Sequence, residues 1–158
     1  MADLREHDRV TAADTFEEFF EREWVAAVRT AALLTQARSV AEEIAQEAFA
    51  RVFQRWDRID RPGAYLQRCV TNGARGDHRH RSVVRDKLPL LLTADDPPES
   101  AFVADALAAL PFRQRAVLVL RYRNGLSERQ IADALACRPG TVKSAHARAI
   151  ATIGEALR

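Results

Sequence analysis

This sequence predicts an all-α chain of two small helical domains, on three observations. Strand-forming runs are nearly absent, and the longest, Ala116 to Tyr122, sits inside a helical pattern. Thr15 with Glu18, Ser39 with Glu42 and Ser127 with Gln130 each have the spacing of a capping box, in which a hydroxyl and a carboxylate or amide satisfy free N–H groups at a helix start. Leu88 to Ser100 loses the helical period and holds three of the six prolines, which marks a linker. The 158 residues leave room for one ordinary domain or two small ones. The boundaries that follow are residues 1–87, a linker at 88–100, and residues 101–158.

Taken in order, the first helix opens at Thr15 and runs to about Leu34, with Phe16, Phe20, Trp24 and Val28 recurring every four residues as an apolar stripe. The second is capped at Ser39, and Ile44, Ala48, Phe49, Val52, Phe53 and Trp56 form its core-facing stripe. Pro62 opens the third, since the missing N–H is not needed in a first turn, and the pattern continues to about Arg81. Beyond the linker, Ser100 caps a short helix through Leu110. Pro111 then opens another, with apolar Ala116, Val117 and Leu120, that closes at Asn124-Gly125, where glycine suits a left-handed residue. The last helices fill the C-terminus from Ser127.

Composition excludes several classes. Apolar residues at 47% and charged residues at 29% describe a globular chain, and no apolar run approaches the roughly 20 residues needed to cross a bilayer. Met1 to Val10 is polar, without the apolar segment of a secretory signal. Cys69 and Cys137 stand far apart without histidines at ligand spacing, which speaks against a disulfide framework or a zinc module and fits a reducing, cytoplasmic setting. The net charge of +2 conceals strong segregation: residues 1–50 carry −6, 51–87 carry +6, 88–110 carry −4, and 111–158 carry +6. Two separated basic blocks read either as solvated arginine-rich faces or as two contacts with a polyanion.

Glu128 to Ala147 has the spacing of a DNA-binding helix-turn-helix. Ile131, Ala132 and Leu135 face inward, Ala136-Cys137-Arg138 makes the turn, and Pro139 restarts the chain as a helix. Val142, Ala145, Ala149 and Ile153 return to the core. Gly140, Lys143, Ser144, Ala147 and Arg148 then share the outward face, a form suited to the major groove. The position that often carries glycine for a positive φ is Ala136 here. A plain αα-hairpin is the structural alternative. On the third helix, Tyr65, Arg68, Asn72, Arg75 and Arg79 share one face, with Leu66, Cys69, Val70 and Gly73 on an apolar one. Cations for phosphates, a ring for unstacked bases and an amide for a base edge are what single-stranded DNA binding requires, although a solvated face has the same pattern.

Together these segments resemble a bacterial sigma factor of the extracytoplasmic-function (group IV) type, closest in wording to short actinobacterial members. Ala41-Glu42-Glu43-Ile44-Ala45-Gln46-Glu47-Ala48-Phe49 is similar to that family's polymerase-binding helix. Arg61-Pro62-Gly63-Ala64-Tyr65-Leu66-Gln67-Arg68, with Asn72, Asp77 and Arg81, is similar to its −10 region. Leu110 to Val117 and Leu126 to Ser144 are similar to its −35 domain. The resemblance implies a non-enzymatic promoter-specificity subunit without cofactor or metal. It implies core polymerase contacts at Glu43, Gln46 and Glu47, and −10 contacts at Arg61, Tyr65, Arg68, Asn72, Arg75, Arg79 and Arg81. It also implies −35 contacts at Arg138, Lys143, Ser144 and Arg148. The implied partners are core RNA polymerase, promoter DNA and, for some members, an anti-sigma factor. Glu43 stands where the family commonly has Asp, and Ala145-His146-Ala147 follows Lys143-Ser144 where it often has a basic or polar residue. Base readout is therefore expected to be sparse, leaning on DNA shape and phosphates.

Two other classes are weighed against this. A stand-alone duplex-binding regulator leaves the acidic second helix and the third-helix face without a task. A metal-dependent hydrolase built on Asp77, His78 and His80 lacks a second ligand set.

Overall fold

The computed structural model describes residues 14–80 and 99–158. Within them the chain forms helices α1 (Phe16–Thr35), α2 (Arg38–Gln54), α3 (Pro62–His80), α4 (Glu99–Ala108), α5 (Phe112–Leu118), α6 (Glu128–Leu135) and α7 (Pro139–Ala156), with no strand among the described residues. A 3-10 turn at Trp56–Arg58 joins α2 to α3, and α5 continues directly into a π-helical turn at Val119–Arg123. Helices α1, α2 and α3 pack mutually as one unit; in the second, α7 packs on both α5 and α6, and α6 also packs on α3.

The capping box at Thr15 forms as read. Its hydroxyl accepts from the Glu18 N–H at 3.2 Å, and the Glu18 carboxylate accepts from the Thr15 N–H at 2.9 Å. The buried line of α1, however, is Phe19, Ala27, Thr30, Ala31 and Leu34 rather than the aromatic stripe. Phe16, Phe20, Trp24 and Val28 are only partly buried, and the three aromatic rings meet Phe49 and Trp56 of the α2 side. Large apolar residues mark that edge in the sequence, whereas the alanines that let helices approach leave a weak signal. The capping box at Ser39 does not form at the helix start. Gln36 adopts the left-handed conformation (φ 59°), which shortens the connection and makes Ala37 the cap, without a side-chain hydrogen bond. Phe53, expected in the core, is 60% exposed, with its ring centroid 5.0 Å from that of Phe16.

Gly73 sets the crossing of α2 and α3: a Cβ there would lie 2.9 Å from Ile44 Cγ2. In the second unit Ser100 lies inside α4 instead of capping it, so the last two residues of the expected linker are helical, and α4 ends at Ala108 rather than Leu110. Linker residues 88–98 lie outside the described residues. The expected helix from Pro111 is α5 plus the π-helical turn, closed by Gly125 at φ 66°. The Ser127/Gln130 capping box forms, at 3.2 and 2.8 Å.

The two units also bond to each other. The Asn124 amide nitrogen, at the end of the π-helical turn, donates to Thr30 Oγ1 of α1 (3.0 Å) and Gln67 Oε1 of α3 (3.1 Å). Buried Arg115 of α5 donates through Nη1 to the Leu34 carbonyl near the end of α1 (2.7 Å). Arg75 of α3 donates through Nη2 to the carbonyl of Leu135, the last residue of α6 (2.7 Å).

Candidate nucleic-acid interface

Helices α6 and α7 form the helix-turn-helix. Ile131, Ala132, Ala134 and Leu135 bury one side of α6, and Val142, Ala145 and Ala149 bury the facing side of α7, with Ile153 half-buried. Between them Ala136 is left-handed (φ 51°, ψ 47°), so the alanine occupies the conformation that glycine adopts without strain. The buried line of α7 leaves Gly140, Lys143, Ser144, Ala147 and Arg148 exposed together, with Arg138 exposed at the N-cap. Lys143 Nζ stands 3.9 Å from Glu128, a loose pair on a side chain that is 74% exposed. The Ser144 hydroxyl donates back to the Gly140 carbonyl at 3.1 Å, which leaves its lone pairs as acceptors. Beside this face the Tyr122 hydroxyl meets His146 Nε2 at 2.8 Å.

On α3, Leu66, Val70, Thr71 and Ala74 are buried, which turns Arg68 and Asn72 outward. Tyr65 is half-buried, with the Arg55 guanidinium over its ring at 5.6 Å. Sequence reasoning missed Arg51, Arg55 and Arg58: Arg51 and Arg55 line a groove that reaches Tyr65, and Arg55 and Arg58 line a second groove beside the same ring. Their only sequence signal was membership of the +6 block. Cys69 lies in the same neighbourhood, where burial pushes its thiol up despite a hydrogen bond from Tyr65 and nearby arginines acting the other way. On its other side Tyr65, with Arg61 and Arg68, lines a cleft of about 470 Å³ opposite Gln130 and Asp133 of α6. Arg75, expected on the same open face, is half-buried against the end of α6. Arg79 lies in α3 with its side chain outside the described residues, and Arg81 lies outside them altogether.

Glu43, Gln46 and Glu47 are all exposed on α2. The Glu47 carboxylate accepts from Arg51 Nη2 at 2.9 Å, and this hydrogen bond and charge raise the guanidinium's pKa. Among the described residues no three His, Cys, Asp or Glu side chains gather as a metal site, and the side chains of His78 and His80 are outside that set.

The two units match two family models: residues 19–83 match sigma-70 region 2, and residues 103–153 match sigma-70 region 4. The RNA polymerase sigma-E factor of Streptomyces coelicolor is 34% identical over 152 residues, which covers 90% of this chain and 85% of that protein. The chain belongs to the sigma-70 family, the promoter-specificity subunits of bacterial RNA polymerase. Within it the chain is of the extracytoplasmic-function type, with region 2 in the first unit and region 4 in the second. It is also 33% identical over 144 residues to the probable RNA polymerase sigma factor RfaY of Xanthomonas campestris pv. campestris, covering 78% of this chain but only 36% of that longer protein. Among solved structures, CnrH in complex with the cytosolic domain of CnrY superposes with a TM-score of 0.69 at 25% identity, covering 90% of this chain and 86% of that one. The sigma factor RpoE of Bartonella quintana, in complex with the anti-sigma factor NepR, shares the fold at a TM-score of 0.79 and 21% identity, over 90% of this chain and 96% of that one.

Proposed function

We propose that this sigma factor acts in the cytoplasm as a non-enzymatic subunit of the holoenzyme, with the residue assignments that follow. The supporting observation is that one chain holds two exposed polar helix faces on separate units, cationic Arg68 with the Asn72 amide on α3 and Lys143 with Arg148 on α7, beside an exposed acidic and amide face on α2. Glu43, Gln46 and Glu47 meet core polymerase. Arg61, Tyr65, Arg68, Asn72, Arg75, Arg79 and Arg81 hold the −10 strand as bases leave the stack, a step costing a few kcal/mol that a preformed pocket and flanking cations offset. Arg138, Lys143, Ser144 and Arg148 meet −35 DNA. The units divide at 1–87 and 101–158, with 88–100 spanning between them. An anti-sigma factor is a further partner class, since one structural neighbour is bound to one.

The test is co-purification with core polymerase followed by run-off transcription. Glu47→Lys should weaken retention on core enzyme by about 1–3 kcal/mol, the scale of a charge pair at an interface; unchanged retention by a helical mutant removes that assignment. Tyr65→Ala or Asn72→Ala should preserve the closed complex and impair strand opening, read by permanganate reactivity of −10 thymines. A stand-alone regulator would instead shift duplex DNA without polymerase.

A further inference from the structure

Gly140 and Ala147, in the outward row of α7, carry no polar side chain, so the recognition helix brings few groups to DNA. The fold adds one from outside that helix. Arg115 to Leu120 are all buried, and the π-helical turn that follows exposes Arg121, Tyr122 and Arg123 together. Its widened hydrogen bond runs from the Asn124 N–H back to the Val119 carbonyl at 3.2 Å, an irregularity more frequent at functional sites than in ordinary helices. Tyr122 is 65% exposed and nevertheless held in place. Its hydroxyl lies 2.8 Å from His146 Nε2, the two ring centroids are 5.8 Å apart, and the Arg121 guanidinium stands 5.9 Å from the tyrosine centroid. A ring this exposed buries little area, so its fixed hydroxyl is open to a partner.

The place of His146 on α7 says which partner. On the helix surface it neighbours buried Val142 and Ala149 on one side and exposed Lys143 and Ile150 on the other. Tyr122 therefore stands at the flank of the outward row, on the Lys143 side. A helix lying in the major groove has the sugar-phosphate backbone along its flanks, where contacts fix register rather than read sequence. Arg121 and Lys143 make the surroundings cationic, offset in part by Glu128 beside Lys143. We propose that Tyr122, held by His146, is a further −35 contact whose hydroxyl donates to a backbone phosphate bordering the recognition helix. This rests on the promoter-specificity reading. A phosphate only accepts, so the DNA-bound pair carries its proton on Nε2: Nε2–H donates to the tyrosine oxygen, and the tyrosine O–H donates to the phosphate. Exchange between the two neutral imidazole tautomers reaches that state without a net proton. Tyr122 is the contact, and His146 is a positioning residue.

The experiment uses holoenzyme made with the full chain and a duplex promoter fragment that this holoenzyme selects from a −35 library. Phosphates around the −35 element are replaced one at a time by neutral methylphosphonates, and binding is measured for the native chain and for Tyr122→Phe. Tyr122→Phe should bind about tenfold more weakly, the lower end of what a hydrogen bond to a charged group contributes. The native chain should lose a similar factor at one phosphate, and Tyr122→Phe should be indifferent to that same replacement. The salt slope should not change, since a neutral donor displaces no counterion. His146→Ala should share part of the loss, and His146→Gln, whose amide still donates to the tyrosine oxygen, should recover it. Equal sensitivity of both chains to every replacement, a changed base preference or a slope lowered by one overturns the proposal. A loss confined to core-polymerase binding overturns it as well and makes Tyr122 a protein contact. If the native holoenzyme selects no promoter, the promoter reading itself fails; normal selection with an indifferent phosphate map removes the tyrosine contact alone.

Discussion

Helix α7 keeps its outward row at the surface, whereas α3 gives Arg75 from its row to the other unit. The difference follows from what each helix packs against. One side of α7 meets α5 and α6, and its opposite side, with Lys143 and Arg148, remains exposed. Helix α3 packs on α1 and α2 and also on α6 of the second unit, so part of its polar surface is an internal boundary. Charge on a helix face therefore has two fates here, solvent or a carbonyl end of another helix, and only packing separates them.

The largest effect contrasts two glycines of α3, one at its buried crossing and one in open space. A Cβ at Gly73 on α3 would lie 2.9 Å from Ile44 Cγ2, on a β-branched side chain with little rotamer freedom to retreat. Gly73→Leu should therefore destabilise the fold by about 3 kcal/mol, the upper part of the overpacking range. Gly76, one turn further along α3, has nothing within 4 Å of where a Cβ would stand, and Gly76→Ala should be neutral or stabilising. Urea unfolding of both variants checks this, and equal effects would mean α2 and α3 do not cross at Gly73.

The next comparison lies within α7. Arg148 has a planar fork able to bond a guanine edge at two points, whereas Lys143 is a point charge suited to phosphate and already shares its field with Glu128. Arg148→Ala should cost about 1–3 kcal/mol and relax preference at one −35 position. Lys143→Ala should weaken all promoters alike and reduce the salt slope by about one phosphate contact. Holoenzyme binding to a −35 variant library at several salt concentrations measures both. Lost preference in Lys143→Ala alone would reverse the roles.

Much of this architecture was legible as sequence because local signals specified it. The Thr15 and Ser127 caps, Pro62, the Gly125 stop and the helix-turn-helix spacing all act within a few residues, and all form. What was not legible depends on contacts between distant residues. Arg75 and Leu135 are 60 positions apart, and Asn124 and Thr30 are 94 apart, so nothing in either segment announces the bond. Arg55 was missed for the same reason: its position over the Tyr65 ring depends on the α2–α3 turn, not on a motif. The misplaced cap at Ser39 shows a local signal overridden by its neighbour, since the left-handed Gln36 moves the start of α2.

The smallest effect concerns the turn between α6 and α7, where a local rule is broken and the fold persists. Ala136 is exposed and left-handed at φ 51°, a conformation that crowds the Cβ of an L-residue against its own carbonyl. Glycine relieves that crowding but loses more chain entropy on folding, which offsets part of the gain. The net effect of Ala136→Gly should be a stabilisation of about 1 kcal/mol. The opposite exchange provides the control: Gly154 lies within α7 with open space around it, so Gly154→Ala should stabilise by about 0.5–1 kcal/mol through helix propensity alone. Both exchanges are read as urea midpoints at constant slope, so that neither is confused with a change in compactness. If Ala136→Gly destabilises while Gly154→Ala stabilises, the turn is not left-handed in solution and the angle between α6 and α7 must differ from the one described.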